Sequence, residues 1–517
     1  MYSFIRILLA TLFLPALAAA EVTVYPSVGY PESHEFQVEI NHTSVRVDHI
    51  LDEHVAYFSF TGQADIVIRV RDPIDTWSIN PVNDRIPSVV EKDSREIRIS
   101  LTEPRRLVVY VNNLPRLLIW AEAPEKDPPR LDQNGVINVG DYGVIPDGKH
   151  LGTAAIAKAI AAVPAQGVLY FPPGIYRTGT VSLKSHMTLY LAPGARIVGS
   201  SLRDDFPKIR DRIETDTVRD PDNRSRKGKD LSYRQLLLID NAEDVTVRGR
   251  GFIDGNGTVL RPQGLFIYNT KVIQSRNVRF EGIVFTNSPA WNLHLLYSDH
   301  IVVRDAKLIA NFNIANSDGI DPDASSHVLI EDNFFLCNDD FVVVKITGNA
   351  GLLRDVDDIV VRRNVAIAQA SALKVGTEVQ SGYTVRNVTF IDNDIIESDR
   401  GMALYMEDGG SAENIRFINN RFDRLFIDDR QRLIQFYVKD IHGKGSIRDV
   451  LIKDCTALVP WPQASTIEGL EGDHGITDVR IENFVIAGRV VKQASDIPLN
   501  INAHVEGVTF NDADTQP

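Results

Sequence analysis

Two short stretches concentrate the carboxylates in this chain that could move protons: Asn316-Ser-Asp318-Gly-Ile-Asp321 and Leu336-Cys-Asn-Asp339-Asp340. Twenty-one residues separate Asp318 from Asp339. If that distance is one coil of a stacked β architecture, the two face the same way, with their strands about 4.8 Å apart. Three acids crowded on one patch repel one another, and at least one pKa must rise. A protonated carboxyl beside an ionised one is what hydrolysis of a glycosidic bond uses, the first to protonate the leaving oxygen and the second to activate water. The candidate catalytic residues are therefore Asp318, Asp339 and Asp340. Clustered acids also bind calcium, but the alternate-position ligand spacing of a calcium loop is absent. No Cys/His group has zinc spacing. Neither a metal nor a cofactor is expected.

The elements that must position these acids are legible as a repeat. From Asp244 onward a polar residue is followed by an alternating β-branched run, as in Asp-Val-Thr-Val at 244, Asn-Val-Arg-Phe at 277, His-Ile-Val-Val at 300 and His-Val-Leu-Ile at 327. Further copies begin at 358, 387, 414, 449, 478 and 507, with successive spacings of 33, 23, 27, 31, 29, 27, 35, 29 and 29 residues. Strands at such a period without intervening helices predict a β-solenoid. No coil buries its inward side chains alone, so stacked Val, Ile and Phe rows must fill a continuous interior. An array of β-sandwiches would instead show Asn-Gly or Asp-Gly hairpin turns, which are few.

Ahead of the solenoid, β-rich runs at 36–40, 56–60, 66–70, 96–99 and 107–111 alternate with turn residues, which predicts an antiparallel sandwich over 21–123. Pro-Glu-Lys-Asp-Pro-Pro at 124–129 opens a linker over 124–133, because proline cannot continue a sheet. The solenoid is expected over 134–517. An alanine-rich helix over 153–163, with Thr153 as N-cap, should cap it.

A formal net charge of −14 argues against a nucleic-acid or anionic-membrane partner. The mixed-charge stretch from Arg203 to Arg234 is expected to be a solvated loop. Residues 1–20 carry Arg6, an apolar run and Ala18-Ala19-Ala20, the pattern of a signal peptide; the run is shorter than the roughly 20 residues that span a bilayer. A periplasmic or secreted location follows. The two cysteines, Cys337 and Cys455, should lie several coils apart and unbridged.

Taken together, the motifs resemble the polygalacturonases of glycoside hydrolase family 28 and the dextranases of family 49 in the same clan. The resemblance runs over most of 134–430. It includes Asp141-Tyr-Gly-Val-Ile-Pro-Asp-Gly148, Val168-Leu-Tyr-Phe-Pro-Pro-Gly-Ile-Tyr176, Leu189-Tyr-Leu-Ala-Pro-Gly-Ala195, Gly251-Phe-Ile-Asp-Gly-Asn-Gly257 and Asn287-Ser-Pro-Ala-Trp-Asn-Leu-His294. The first blocks recur in many β-helix proteins, and the aspartate blocks with Lys345 are the specific part. The resemblance implies a right-handed parallel β-helix of the pectin-lyase-like type and inverting hydrolysis of a polysaccharide or oligosaccharide. It implies Asp339 as general acid, Asp318 and Asp340 as the pair that activates water, and Lys345 in the cleft. Trp291 and His294 match positions on the cleft rim.

Two departures bear on the substrate. The family's Gly-His-Gly precedes a Gly-Ser-Glu block; here Gly376-Thr-Glu378 fits the latter, but Gln369-Ala370-Ser371 stands where the histidine is expected. The family's Arg-Ile-Lys follows an Arg-Gly pair; here Arg400-Gly401 is followed by Met-Ala-Leu-Tyr-Met-Glu-Asp, ending in Glu407 and Asp408. Those cations hold a substrate carboxylate, whereas carboxylates favour neutral hydroxyls. A neutral, dextran-like substrate is therefore expected. The competing readings are a pectin hydrolase that recovers carboxylate binding through Arg354, Lys374 or Arg400, and a carbohydrate-binding β-helix without activity.

Overall fold

The structure, a computed structural model, describes residues 21–208, 230–425 and 431–511. The expected signal peptide and most of the Arg203–Arg234 segment lie outside the described residues.

The N-terminal part is a two-sheet sandwich. A six-stranded sheet holds Val22–Val24, Val47–Ile50, Glu53–Phe60, Trp77–Asn80, Arg105–Val111 and Leu117–Glu122; a five-stranded sheet holds Phe36–Ile40, Thr43–Val45, Ala64–Val70, Ser88–Val89 and Glu96–Leu101. Alternating residues such as Phe36, Val38 and Ile40 meet Ala56, Phe58 and Phe60 in one core. The pairing departs from expectation once: Leu117–Glu122 runs parallel to Glu53–Phe60.

The rest is a right-handed parallel β-helix. Among the described residues, thirteen strands stack in one sheet, and twenty-two form a second that wraps the remaining sides. Every copy of the repeat lies in the thirteen-stranded sheet, with Val245, Val278, Ile301, Val328 and Ile359 in register and pointing into the common core. The polar residue that opens each copy has a left-handed backbone: Asp244, Asn277, His300, His327, Asp358 and Asn387 have φ between 53° and 57°. Short polar side chains tolerate that conformation best, which is why the repeat starts with them. The stack also extends three strands further back, through Val136–Asn138, Gly167–Phe171 and Met187–Leu191.

A ladder of buried asparagines, Asn333, Asn364, Asn393 and Asn420, ties successive coils together. Each side-chain amide donates to the next side-chain oxygen at 2.9 Å. The helix Thr153–Ala162 sends Ile156, Ala159 and Ile160 into the core. Thr153 is not its N-cap: Gly152 holds that position, and the Thr153 hydroxyl accepts from the Gly179 amide at 2.7 Å. Cys337 and Cys455 are buried and unbridged.

The sandwich docks along the β-helix. Trp120, Tyr57, Val108 and Leu118 pack on Phe252, Val284, Phe334, Leu336 and Ile367. The expected linker is held against the coils, Glu125 by the Tyr190 hydroxyl at 2.9 Å and the Lys126 carbonyl by Arg248 at 2.8 Å.

Candidate active site

The acids sit on turns that enter one stack of strands: Leu293–Leu296, Ile320–Asp323, Val342–Ile346, Val365–Val379, Asp394–Asp408 and Arg432–Gly443. Leu293 pairs with Ile320, Ile320 with Val342 and Val342 with Leu373. Two residues earlier on each strand, the same register aligns Trp291, Asp318, Asp340 and Ser371, then continues through Arg400 and Arg432. Asp318 and Asp340 thus occupy equivalent positions one coil apart. Carboxylate oxygens of Asp318, Asp339 and Asp340 all lie within 4.8 Å of one another. Gly319 permits this approach, since a Cβ there would lie 2.3 Å from the Phe341 carbonyl oxygen.

The three acids are not equivalent. Asp340 is buried but fully held, its Oδ2 by Lys374 Nζ at 2.7 Å and its Oδ1 by the Ser371 amide at 2.9 Å. Burial opposes its ionisation, yet Lys374 and Lys345 together outweigh burial and lower its pKa. Burial, then repulsion from Asp340, raises Asp339. Burial, then Asp321 and Asp339, raises Asp318 well above the carboxylate range, although Lys345 Nζ lies 3.3 Å from its Oδ2. The cluster therefore holds one firm anion, Asp340, beside Asp318 and Asp339, both pushed toward their protonated forms and Asp318 the further. Asp339 is half-buried, and Asp318 and Asp340 are buried. Asp318 Oδ1 is buried and has no hydrogen-bond partner among the described residues.

Lys345 is the hub. It lies 2.9 Å from Asp321 and 4.0 Å from Glu378, and its ammonium sits 3.7 Å from the centre of the Trp291 ring. Asp321 was overlooked as a site residue in the sequence, although Ile320-Asp-Pro-Asp323 alternates so that both aspartates face outward; burial pushes Asp321 up to about 7. His294 is not on the rim. It has no exposed surface, its Nε2 meets Asp323 Oδ2 at 3.0 Å, and burial lowers its pKa to about 4. Asp323 in turn accepts from the Thr347 amide at 2.8 Å. The ring of His294 meets Trp291 edge-on at 5.0 Å, so it supports the Trp291 face on which Lys345 rests. Trp291 itself is half-buried beside the acids.

Beyond Asp340 the wall changes character. Lys374, Ala403 and Gln435 form one outward row. Tyr405 and Tyr437 form the next, their rings stacked at 4.2 Å. Glu407 accepts from the Tyr437 hydroxyl at 2.6 Å. Asp408 is buried and accepts from Gln380 at 2.9 Å, with His442 Nδ1 at 2.8 Å; it is engaged in structure rather than offered to a sugar. Lys374 is committed to Asp340. Arg400 is half-buried and its Nε donates to Ser371 Oγ at 3.0 Å, next to the Asp340 anchor. Arg354 is elsewhere: it donates to the Ala324 carbonyl at 2.7 Å and covers Tyr297, so it is not part of this wall. Where the family histidine is expected, Ser371 and Lys374 hold Asp340 instead.

The sequence model "Glycosyl hydrolases family 28" matches residues 217–502. A "Probable polygalacturonase" from Vitis vinifera is 29% identical over 289 residues, 51% of this chain and 55% of that protein, so the chain spans about half the length of this relative. In three dimensions the chain resembles a family 28 exopolygalacturonase from Yersinia enterocolitica, with a TM-score of 0.58, 18% identity and coverage of 88% of this chain and 95% of the other. It also resembles Dex49A from Penicillium minioluteum, with a TM-score of 0.55, 12% identity and coverage of 94% and 96%. Both likenesses concern the fold. The family match takes in all three crowded aspartates and the lysines that hold them, over more than half of the chain: this protein belongs to glycosyl hydrolases family 28.

Proposed function

We propose that the protein hydrolyses a pectic polysaccharide or oligosaccharide with inversion, using Asp339 as general acid and Asp318 with Asp340 to activate water. The observation that carries this reading is the convergence of the three carboxylates within 4.8 Å. Asp339 is the most open of them and is pushed toward its protonated form, as a proton donor to a leaving oxygen must be. Asp340 is a fixed anion, and the unpartnered Oδ1 of Asp318 is buried beside it.

The separation is shorter than the roughly 6.5–9.5 Å usual for inverting pairs. Water must then be held beside the cluster rather than in a gap between acid and base. Proton NMR of the first-formed product decides the stereochemistry: the anomer opposite to the substrate linkage is expected, and release of the same anomer would overturn inversion. Asp339→Asn should cut turnover by about 10²–10⁴ with an unchanged unfolding temperature; near-normal turnover would remove Asp339 from the mechanism.

Similarity to a probable polygalacturonase supports a uronate-containing substrate, and the half-buried Arg400, bonded to the Ser371 that anchors Asp340, is the cation we assign to its carboxylate. Arg400→Gln should raise KM on polygalacturonate and leave KM on a neutral glycan unchanged. A second reading, a neutral dextran-like substrate, rests on Arg400-Gly401 being followed by Met-Ala-Leu-Tyr-Met-Glu-Asp, without the family's Arg-Ile-Lys. Cleavage of dextran but not of polygalacturonate or mixed pectins would favour it. Export after removal of residues 1–20 is part of the proposal, and N-terminal sequencing of the mature protein tests it.

A further inference from the structure

The repeat places histidine at the same left-handed turn position in two successive coils, His300 and His327, with φ of 55° and 53°. These turns belong to the thirteen-stranded sheet, not to the stack that carries the acids. The imidazole rings stack with centres 4.6 Å apart and planes 24° apart, following the strand spacing. Both Nδ1 atoms turn toward one carboxylate. His327 Nδ1 lies 3.2 Å and 3.3 Å from the two oxygens of Asp299, and His300 Nδ1 contacts Asp299 Oδ1. The three potential ligand atoms lie within 4.8 Å of one another.

We propose that Asp299, His300 and His327 bind one divalent transition metal ion of the zinc class. Bonds of about 2.0 Å at tetrahedral angles set ligand atoms roughly 3.3 Å apart, which matches the His327–Asp299 separations; a small outward turn of His300 completes the triangle. Two imidazoles and one carboxylate suit zinc, copper or nickel rather than calcium or magnesium, which take oxygen ligands. Both histidines are exposed and Asp299 is half-buried, so an ion can enter and keep a water as its fourth ligand. Arg354 lies 3.8 Å from Asp299 Oδ2 and opposes a cation on that side, which leaves Oδ1 as the ligand atom.

The ion would join two particular coils. The chain runs from His300 to Asp318 in one and from His327 to Asp339 and Asp340 in the next. A ligand that binds only the folded form stabilises it by mass action, so the metal would staple together the coils whose register brings the acids into one cluster.

The test is titration of the full chain with zinc chloride by isothermal calorimetry, with thermal unfolding measured in parallel. One saturable site per chain is expected, with an unfolding temperature that rises with zinc concentration and falls back with a chelator; magnesium and calcium should give neither effect. His300→Asn and His327→Asn are suited to the site because Asn277 and Asn387 already hold this turn, with φ of 53° and 55°. Each should weaken zinc binding by more than the roughly 10- to 100-fold that follows loss of an outer-shell partner, with turnover and metal-free stability unchanged. Absence of saturable binding in the wild type, or zinc binding and stabilisation that survive in the double variant, would overturn the proposal.

Discussion

Asp340 differs from its neighbours because of two cations, not because of its own position. Lys374 Nζ contacts it at 2.7 Å and Lys345 acts from further off, and together they hold its pKa down despite burial. Asp339, a residue away, is raised by burial and by the Asp340 charge, with Lys374 the first of the groups that oppose that rise. The proton on a raised carboxyl is lost as pH rises through its pKa, and the anion of a depressed one is lost as pH falls through its pKa. A bell-shaped dependence of kcat/KM on pH follows, with the alkaline limb set by the raised carboxyl of the proton donor Asp339 and the acid limb by Asp340. Lys374→Met removes the cation from both aspartates, so both limbs should move to higher pH. A profile that falls in amplitude without moving would show that Lys374 serves only to pack.

At the scale of elements, the coils were legible because their inward rows are apolar with period 2 and because each strand is entered through a left-handed turn. That turn prefers Asn, Asp or His, and it marks ten successive copies in the chain. The three earlier strands of the same sheet escaped notice because two of their turns open on Gln166 and His186, followed by Gly167 and Met187 rather than a β-branched residue. The one-coil spacing was readable only to within a residue: the 21 residues from Asp318 to Asp339 suggested that pair, whereas the register sets Asp340 opposite Asp318 and leaves Asp339 one residue out of line. The burial of His294 was not readable, because it depends on Tyr268, Trp291 and Asp323 closing around one ring, contacts that the linear pattern does not encode. The asparagine ladder was equally hidden, since its members look like ordinary turn residues. Asn393 donates to the Val361 carbonyl at 3.0 Å and to Asn420, and accepts from the Asn364 amide at 3.1 Å. Asn393→Ala would leave several of these buried groups without partners, at a cost of at least roughly 1–3 kcal/mol. Chemical denaturation measures it, and a loss no larger than that of an exposed strand variant such as Glu413→Ala would show that the ladder is not a stabilising element.

For the molecule as a whole, the decisive contact is the seam between sandwich and β-helix. Beside its apolar part, with Trp120 against Phe334, lies the buried carboxylate of Glu122. Glu122 ends the last strand of the sandwich and meets Arg106 of its own domain at 3.3 Å, Arg250 of the β-helix at 3.4 Å and Lys307 at 2.9 Å. Burial disfavours its charge, but the three cations overcome that and bring its pKa down to about 2. Burial pushes Lys307 the other way, down to about 7. Glu122 faces three cations, of which Arg106 also reaches Asp305 at 2.6 Å, so removing its charge leaves Lys307 and Arg250 short of their nearest buried counter-charge. Glu122→Gln should therefore destabilise the protein by about 3–5 kcal/mol, whereas Lys307→Met removes the cation that is hardest to keep charged and should cost less. In the double variant part of the Glu122→Gln loss should return, because one orphaned cation is gone, and a double-mutant cycle in urea isolates that coupling. If the two losses simply add, Glu122 and Lys307 do not act on each other, and the charge of Glu122 is held by Arg106 and Arg250.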